Sequence, residues 1–351
     1  MQDLRIYPWL GPLRMAIITL IAFGYASTMP VGPANAEYLR MFGYDPSWYG
    51  IALIFMISGW LAMKSLTRHG SALKFLGSRF FRNIPILIIF AAFVPMVLFP
   101  LFGQPPEPGT SRVSQHLSYF LRVVSCIEPD ALTPGLLDNA LYMCIIQGGL
   151  WTFRWGMIAF LATAGLWVIS GLKNRLHLLL YTVLVTSLYV ALVDRQIRGY
   201  ETILDFAVTA SRLGMFYLMG MCAFAYREKL SHSLRIPVIL LCATLVEYFF
   251  LPWTPLIEVT ATLALAYLAY YGITSSRTVP NWLKKAPDLS LGLYVINWPM
   301  AQIMLLNFPG VSPLGLFFVS FPATILASYA IWHLINRNTE PRLADWTSRT
   351  A

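Results

Sequence analysis

Ten apolar runs most limit what this chain can fold into. They lie near residues 12–30, 47–63, 83–103, 149–171, 176–194, 205–226, 236–252, 255–274, 288–308 and 313–336. A helix needs about 20 apolar residues to cross a bilayer, and the runs come close to that length. The fold expected is all-α, a polytopic membrane helix bundle with about ten transmembrane helices in a single domain over 1–351. Composition agrees. Only 12% of the 351 residues are charged and 57% are hydrophobic, against roughly 25% charged in a soluble domain. A water-soluble globule, a disordered chain and a disulfide-stapled secreted module are all excluded. No internal repeat is visible.

The outer connection 104–148 opens on Gln104-Pro105-Pro106-Glu107-Pro108-Gly109 and continues into an amphipathic stretch, Val113 to Val124. That stretch is expected to form an interfacial or lid helix. Cys126 and Cys144 share this side. Two free thiols and a disulfide are both open, and none of the four cysteines has metal-ligand spacing.

A net charge of +9 would suggest nucleic acid in a soluble protein. In a membrane bundle it reflects the gathering of Lys and Arg in cytoplasmic loops, so membrane lipids are the expected partners and nucleic acid is not. With the N-terminus in the cytoplasm, 18 of the 25 Lys and Arg fall inside, and an even number of spans makes both termini cytoplasmic. Ala34-Asn35-Ala36 is similar to a cleavage site but lies far from the apolar run, so the first span is expected to stay uncleaved.

Ionisable groups inside a span are costly and face a cavity or a partner. The candidates are Arg14, Arg154, Arg212, Glu247, Glu258 and His333. Arg14 and Arg154 sit near span ends, where snorkelling and a cavity role are both open. Glu247 and Glu258 flank an outer turn and are expected to be interfacial and solvated. A dense basic connection follows the second span: Lys64, Arg68, Lys74, Arg79 and Arg82. Such a patch at the inner face suits anionic headgroups or a polyphosphate-bearing cofactor.

Several motifs stand in a telling order. They are Phe55-Met56-Ile57-Ser58-Gly59-Trp60-Leu61, Arg79-Phe80-Phe81-Arg82, and Gly148-Gly149-Leu150-Trp151-Thr152-Phe153. Then come Tyr217-Leu218-Met219-Gly220-Met221, Tyr294-Val295-Ile296-Asn297-Trp298-Pro299 and Trp332-His333-Leu334-Ile335-Asn336-Arg337. In order and spacing the chain resembles the integral-membrane acyltransferase-3 family, which decorates bacterial envelope glycans. The resemblance implies a bacterial inner-membrane protein. It would take an acyl group of the acetyl or succinyl class from cytoplasmic acyl-CoA, without a metal, and place it on a hydroxyl of an envelope polysaccharide or lipid-linked sugar. Arg79, Arg82, Arg68 and Lys74 would hold the donor. Arg14 and Tyr25 would line the catalytic channel, and Trp151, Arg154 and Asn297 would stand on the acceptor side.

The chain departs from the family at four polar positions. Tyr25 stands where the family has a His eleven residues after Arg14. Gly156 falls near an expected acid, Asn297 at a later His and Asn336 at a terminal Glu. A His takes a proton at neutral pH, whereas a Tyr with a pKa near 10 is a poor base. An alternative therefore stands beside the enzyme: a non-catalytic or repurposed member serving as an accessory subunit in a polysaccharide synthase complex or in export. An enzyme should show a channel from Arg79 and Arg82 past Tyr25. A scaffold should show that path plugged or open sideways to lipid.

Overall fold

The computed structural model describes residues 7–32, 44–104, 111–138, 142, 144–197, 203–275 and 278–349. Ala34 to Ala36, Pro105 to Gly109 and the side chains of Asn336 and Arg337 lie outside what is described. Among the described residues the chain is helical with no strand, apart from an isolated antiparallel bridge between Gly103 and Leu136.

The helices are α1 (Leu10–Thr28), α2 (Pro46–His69), α3 (Ala72–Phe102), α4 (Arg112–Val124), α5 (Trp151–Val168), α6 (Arg175–Ile197) and α7 (Ile203–Ala225). They continue with α8 (Arg235–Phe250), α9 (Thr254–Ile273), α10 (Asn281–Lys285), α11 (Ser290–Asn307) and α12 (Pro313–Arg349). Seven of them are long and apolar enough to cross a membrane by length and composition: α1, α2, α3, α6, α7, α9 and the Pro313–Leu334 part of α12. The other three of the ten expected spans, α5, α8 and α11, have 18, 16 and 18 residues. At 1.5 Å per residue these reach roughly 24–27 Å, close to the hydrocarbon thickness. The protein is thus an all-α, multi-pass membrane bundle.

Contacts between helix ends show that the spans alternate. At one end, Tyr226 Oη donates to the Arg175 carbonyl (3.1 Å), Tyr270 Oη to those of Arg227 and Leu230, and Trp167 Nε1 to that of Gly70 (3.3 Å). These contacts gather the start of α6 and the ends of α2, α5, α7 and α9. We call this end, rich in Lys and Arg, the basic face. At the other end Trp253, between α8 and α9, donates to Asp194 near the end of α6 (3.3 Å).

Local chemistry sets the helix limits. Asp45 caps α2 by accepting from the Ser47 and Trp48 amides at 2.8 and 3.2 Å, with Pro46 in the first turn, where a missing N–H costs nothing. Gly70 ends the same helix at φ +64°, a left-handed conformation in which glycine carries no Cβ penalty. Burial differs by helix. In α2, 78% of the apolar window is buried, against 22% in α6 and α12, whose outward leucines and valines face lipid. α2 packs on α7 backbone to backbone. A Cβ on Gly59 would sit 1.9 Å from the Tyr217 carbonyl, and one on Gly220 would sit 1.9 Å from that of Met56. Small residues give membrane helices this approach.

α4 forms where the amphipathic pattern places it. Tyr119 and Val123 are buried, while Val113, Leu117 and Leu121, one turn apart, are exposed. Cys126 and Cys144 are free thiols.

The connection between α4 and α5 returns into the bundle. Side chains of α11 one turn apart hold it by its carbonyls. Tyr294 Oη donates to Gly149 (2.9 Å), Trp298 Nε1 to Ile145 (3.1 Å) and Gln302 Nε2 to Ile145 (3.3 Å) and Tyr142 (3.4 Å). Gln147, itself buried, donates to the Ala131 carbonyl (3.0 Å) and accepts from Tyr119 (2.5 Å). Irregular backbone inside a membrane bundle persists only where protein groups satisfy it in this way.

Candidate functional site

A cavity of about 140 Å³ opens between α1, α2, α3, α5, α7 and α11. Arg82 is exposed at its mouth on the basic face, and Arg79, Asn83 and Arg14 border it. Its walls are apolar, with Ile18, Ile51, Phe55, Leu61, Met157 and Phe160 among them. Its far end is polar but uncharged: Thr152 and Tyr294, both buried, share a hydrogen bond of 2.5 Å.

The sequence brings these groups together in simple ways. Arg79 and Arg82 lie three residues apart in the first half of α3, so both project towards one side. The Arg79 guanidinium lies 5.4 Å from the centres of both the Phe75 and Phe160 rings, within cation–π range. Arg14, near the start of α1, is 8% exposed and pairs with Asp288, which precedes α11. The other oxygen of Asp288 accepts from the Ser290 amide (3.2 Å) and hydroxyl (2.5 Å). Burial pushes the Asp288 pKa up, but the charges of Arg14 and Arg82 and the Ser290 hydrogen bonds outweigh it, so its carboxyl titrates below the usual carboxylate range. Arg14 is thus anchored rather than snorkelling.

The other expected site residues are placed as follows. Arg68 is exposed and Lys74 half-buried on the basic connection, outside the cavity lining. Tyr25 is buried outside the lining. It meets Trp298 edge to face at 4.9 Å, and its hydroxyl has no hydrogen-bond partner among the described residues. Trp151 is half-buried at the start of α5, and Asn297 is buried in α11 with its Nδ2 unpartnered; neither lines the cavity. Arg154 pairs with Asp130 at 3.4 Å, about a third exposed. Gly156 does border the cavity, and a Cβ there would meet nothing within 4 Å.

Asp288, Ser290 and Thr152 were not singled out by the sequence. A short Asp-x-Ser cap before an apolar run was the one available signal for the first two. The expectation of a solvated Glu258 is corrected. Glu258 is 1% exposed, its Oε1 lies 2.7 Å from Arg212 Nε, and the Tyr44 and Tyr189 hydroxyls bond its other oxygen. A turn that looks interfacial from one hairpin is covered by α6, α7 and the start of α2. Glu247 is half-buried and accepts from Thr260 at 3.1 Å.

Residues 13–333 match the family model described as an acyltransferase domain, the third acyltransferase family of that name. The chain belongs to the acyltransferase-3 family. Comparison with curated proteins and with solved structures gave no match. The match runs from α1 into α12 of this acyltransferase-3 protein and supports a membrane acyltransferase-like function. Among the described residues, the cavity lining holds no imidazole and no carboxylate.

Proposed function

We propose that the protein moves an acyl group of the acetyl or succinyl class from cytoplasmic acyl-CoA to a sugar hydroxyl of an envelope polysaccharide or glycolipid, at the bacterial inner membrane with both termini inside. The observation that carries this reading is the cavity itself: three arginines, apolar walls and a buried hydroxyl pair in its lining. Arg79 and Arg82 suit the donor's phosphates, which guanidinium groups bind by charge-assisted hydrogen bonds. Arg68 and Lys74 extend the same positive field outwards. The apolar walls suit the thioester arm. Trp151, Arg154 and Asn297, outside the cavity lining, are the acceptor-side groups of this reading, and no metal is required.

A second reading has an observation of its own. Attack by a sugar hydroxyl needs a proton acceptor. Among the described residues the cavity lining offers no His, Asp or Glu, and Tyr25 stands outside it. This favours a member that binds an acyl-CoA-like ligand or glycan without turnover, as an accessory subunit of a polysaccharide synthase complex. Ester analysis of the envelope glycan, with and without the gene, separates the two. Lost esters at normal glycan amount establish transfer. Unchanged esters with reduced glycan establish the accessory role.

A further inference from the structure

Asp288 uses its two oxygens for different tasks. Oδ1 accepts from the Ser290 amide and hydroxyl at the start of α11, and Oδ2 takes Arg14 Nη2. The position of Arg14 is therefore fixed relative to the first turn of α11. Tyr294, which lines the cavity, lies six residues after Asp288, roughly 9 Å along the axis. Arg14 borders the same cavity with its side chain 10% exposed, and its Nε–H is buried with no hydrogen-bond partner among the described residues. A nearly buried guanidinium beside Arg79 and Arg82 needs a counter-charge to stay in place. A permanent one lets Arg14 keep a spare donor for a ligand.

Resting on the acyl-CoA reading above, we propose that Asp288 is a positioning residue: it holds Arg14 so that the unpaired Nε–H of that guanidinium meets an acceptor oxygen of the acyl donor inside the cavity.

The test is titration of acetyl-CoA into the purified full-length chain. Asp288→Asn keeps an acceptor oxygen for Ser290 and removes the charge. It should weaken binding about tenfold, as expected for a partly exposed pair broken on one side. Arg14→Gln should do the same, and the double variant should lose no more than either single one. Asp288→Glu should recover most of the affinity. Arg14→Lys keeps the cation and lacks the Nε–H; its binding should also fall about tenfold, and this arm decides the matter if the Asn variant does not fold. Wild-type binding by Asp288→Asn or Arg14→Lys, or losses that multiply in the double variant, would overturn the role of Asp288 alone. A wild-type chain that takes up no acetyl-CoA overturns the donor reading and this role with it.

Discussion

Two buried ion pairs, one at each end of the bundle, use the same chemistry for different ends. Arg14–Asp288 lies at the basic face and borders an open cavity, with the carboxylate side chain still 24% exposed. Arg212–Glu258 lies at the opposite face, with the carboxylate side chain fully buried. Tyr44, Tyr189 and Trp48 surround it, and the Arg212 guanidinium lies 5.3–5.9 Å from the centres of their rings. The first pair has a cavity beside it. The second spends its groups on four elements of the protein: α6, α7, α9 and the entry to α2. Space beside a pair, not the pair itself, separates a binding device from a structural tie.

If that contrast is right, breaking the closed pair should cost most. Glu258→Ala leaves a largely buried guanidinium without its partner and should destabilise the bundle by about 3–5 kcal/mol. A much lower unfolding temperature in detergent would show it, and an unchanged one would make Arg212–Glu258 no tie at all. Gly59→Val should come next, at about 1–3 kcal/mol, because a side chain there meets the Tyr217 carbonyl. Its effect should appear in the same melt and be weaker than that of Glu258→Ala.

At the open end the readout should shift from stability to ligand. Arg82→Gln, at an exposed position, should raise the KM or Kd for acyl-CoA about tenfold while moving the melting temperature little. A large thermal shift with unchanged affinity would make that arginine structural.

The smallest effect concerns pH. The Asp288 carboxyl is held below its unfolded value of about 3.9. A depressed carboxyl stabilises above the unfolded pKa and loses that contribution as pH falls through the folded one. The difference in melting temperature between wild type and Asp288→Asn should therefore be constant from pH 8 to pH 5. It should shrink only below about pH 4. A difference that closes near neutrality would mean that Arg14 does not hold the carboxylate.

The bundle was legible in the sequence because the bilayer imposes a length on each span, and length is a local property. α4 was legible for a similar reason, since Val113, Leu117 and Leu121 repeat at helical spacing. Arg79 and Arg82 could be placed at a mouth because they are neighbours on one helix. The pairing of Arg14 with Asp288 spans 274 residues, and no periodicity records it. Glu258 was misjudged because the turn beside it reveals nothing about the helices that cover it. The return of residues 144–150 into the bundle was hidden as well, because its support comes from Tyr294, Trp298 and Gln302 on a helix more than 140 residues away.

That support has an evolutionary corollary. The three α11 side chains grip main-chain oxygens, so the path of the returning segment is encoded on α11 and hardly at all in the segment's own letters. Most of its positions are free to drift without untying it. Gly148 and Gln147 are exceptions: a Cβ on the first would fall 2.5 Å from the Trp298 ring, and the side chain of the second ties the segment to Ala131 and Tyr119.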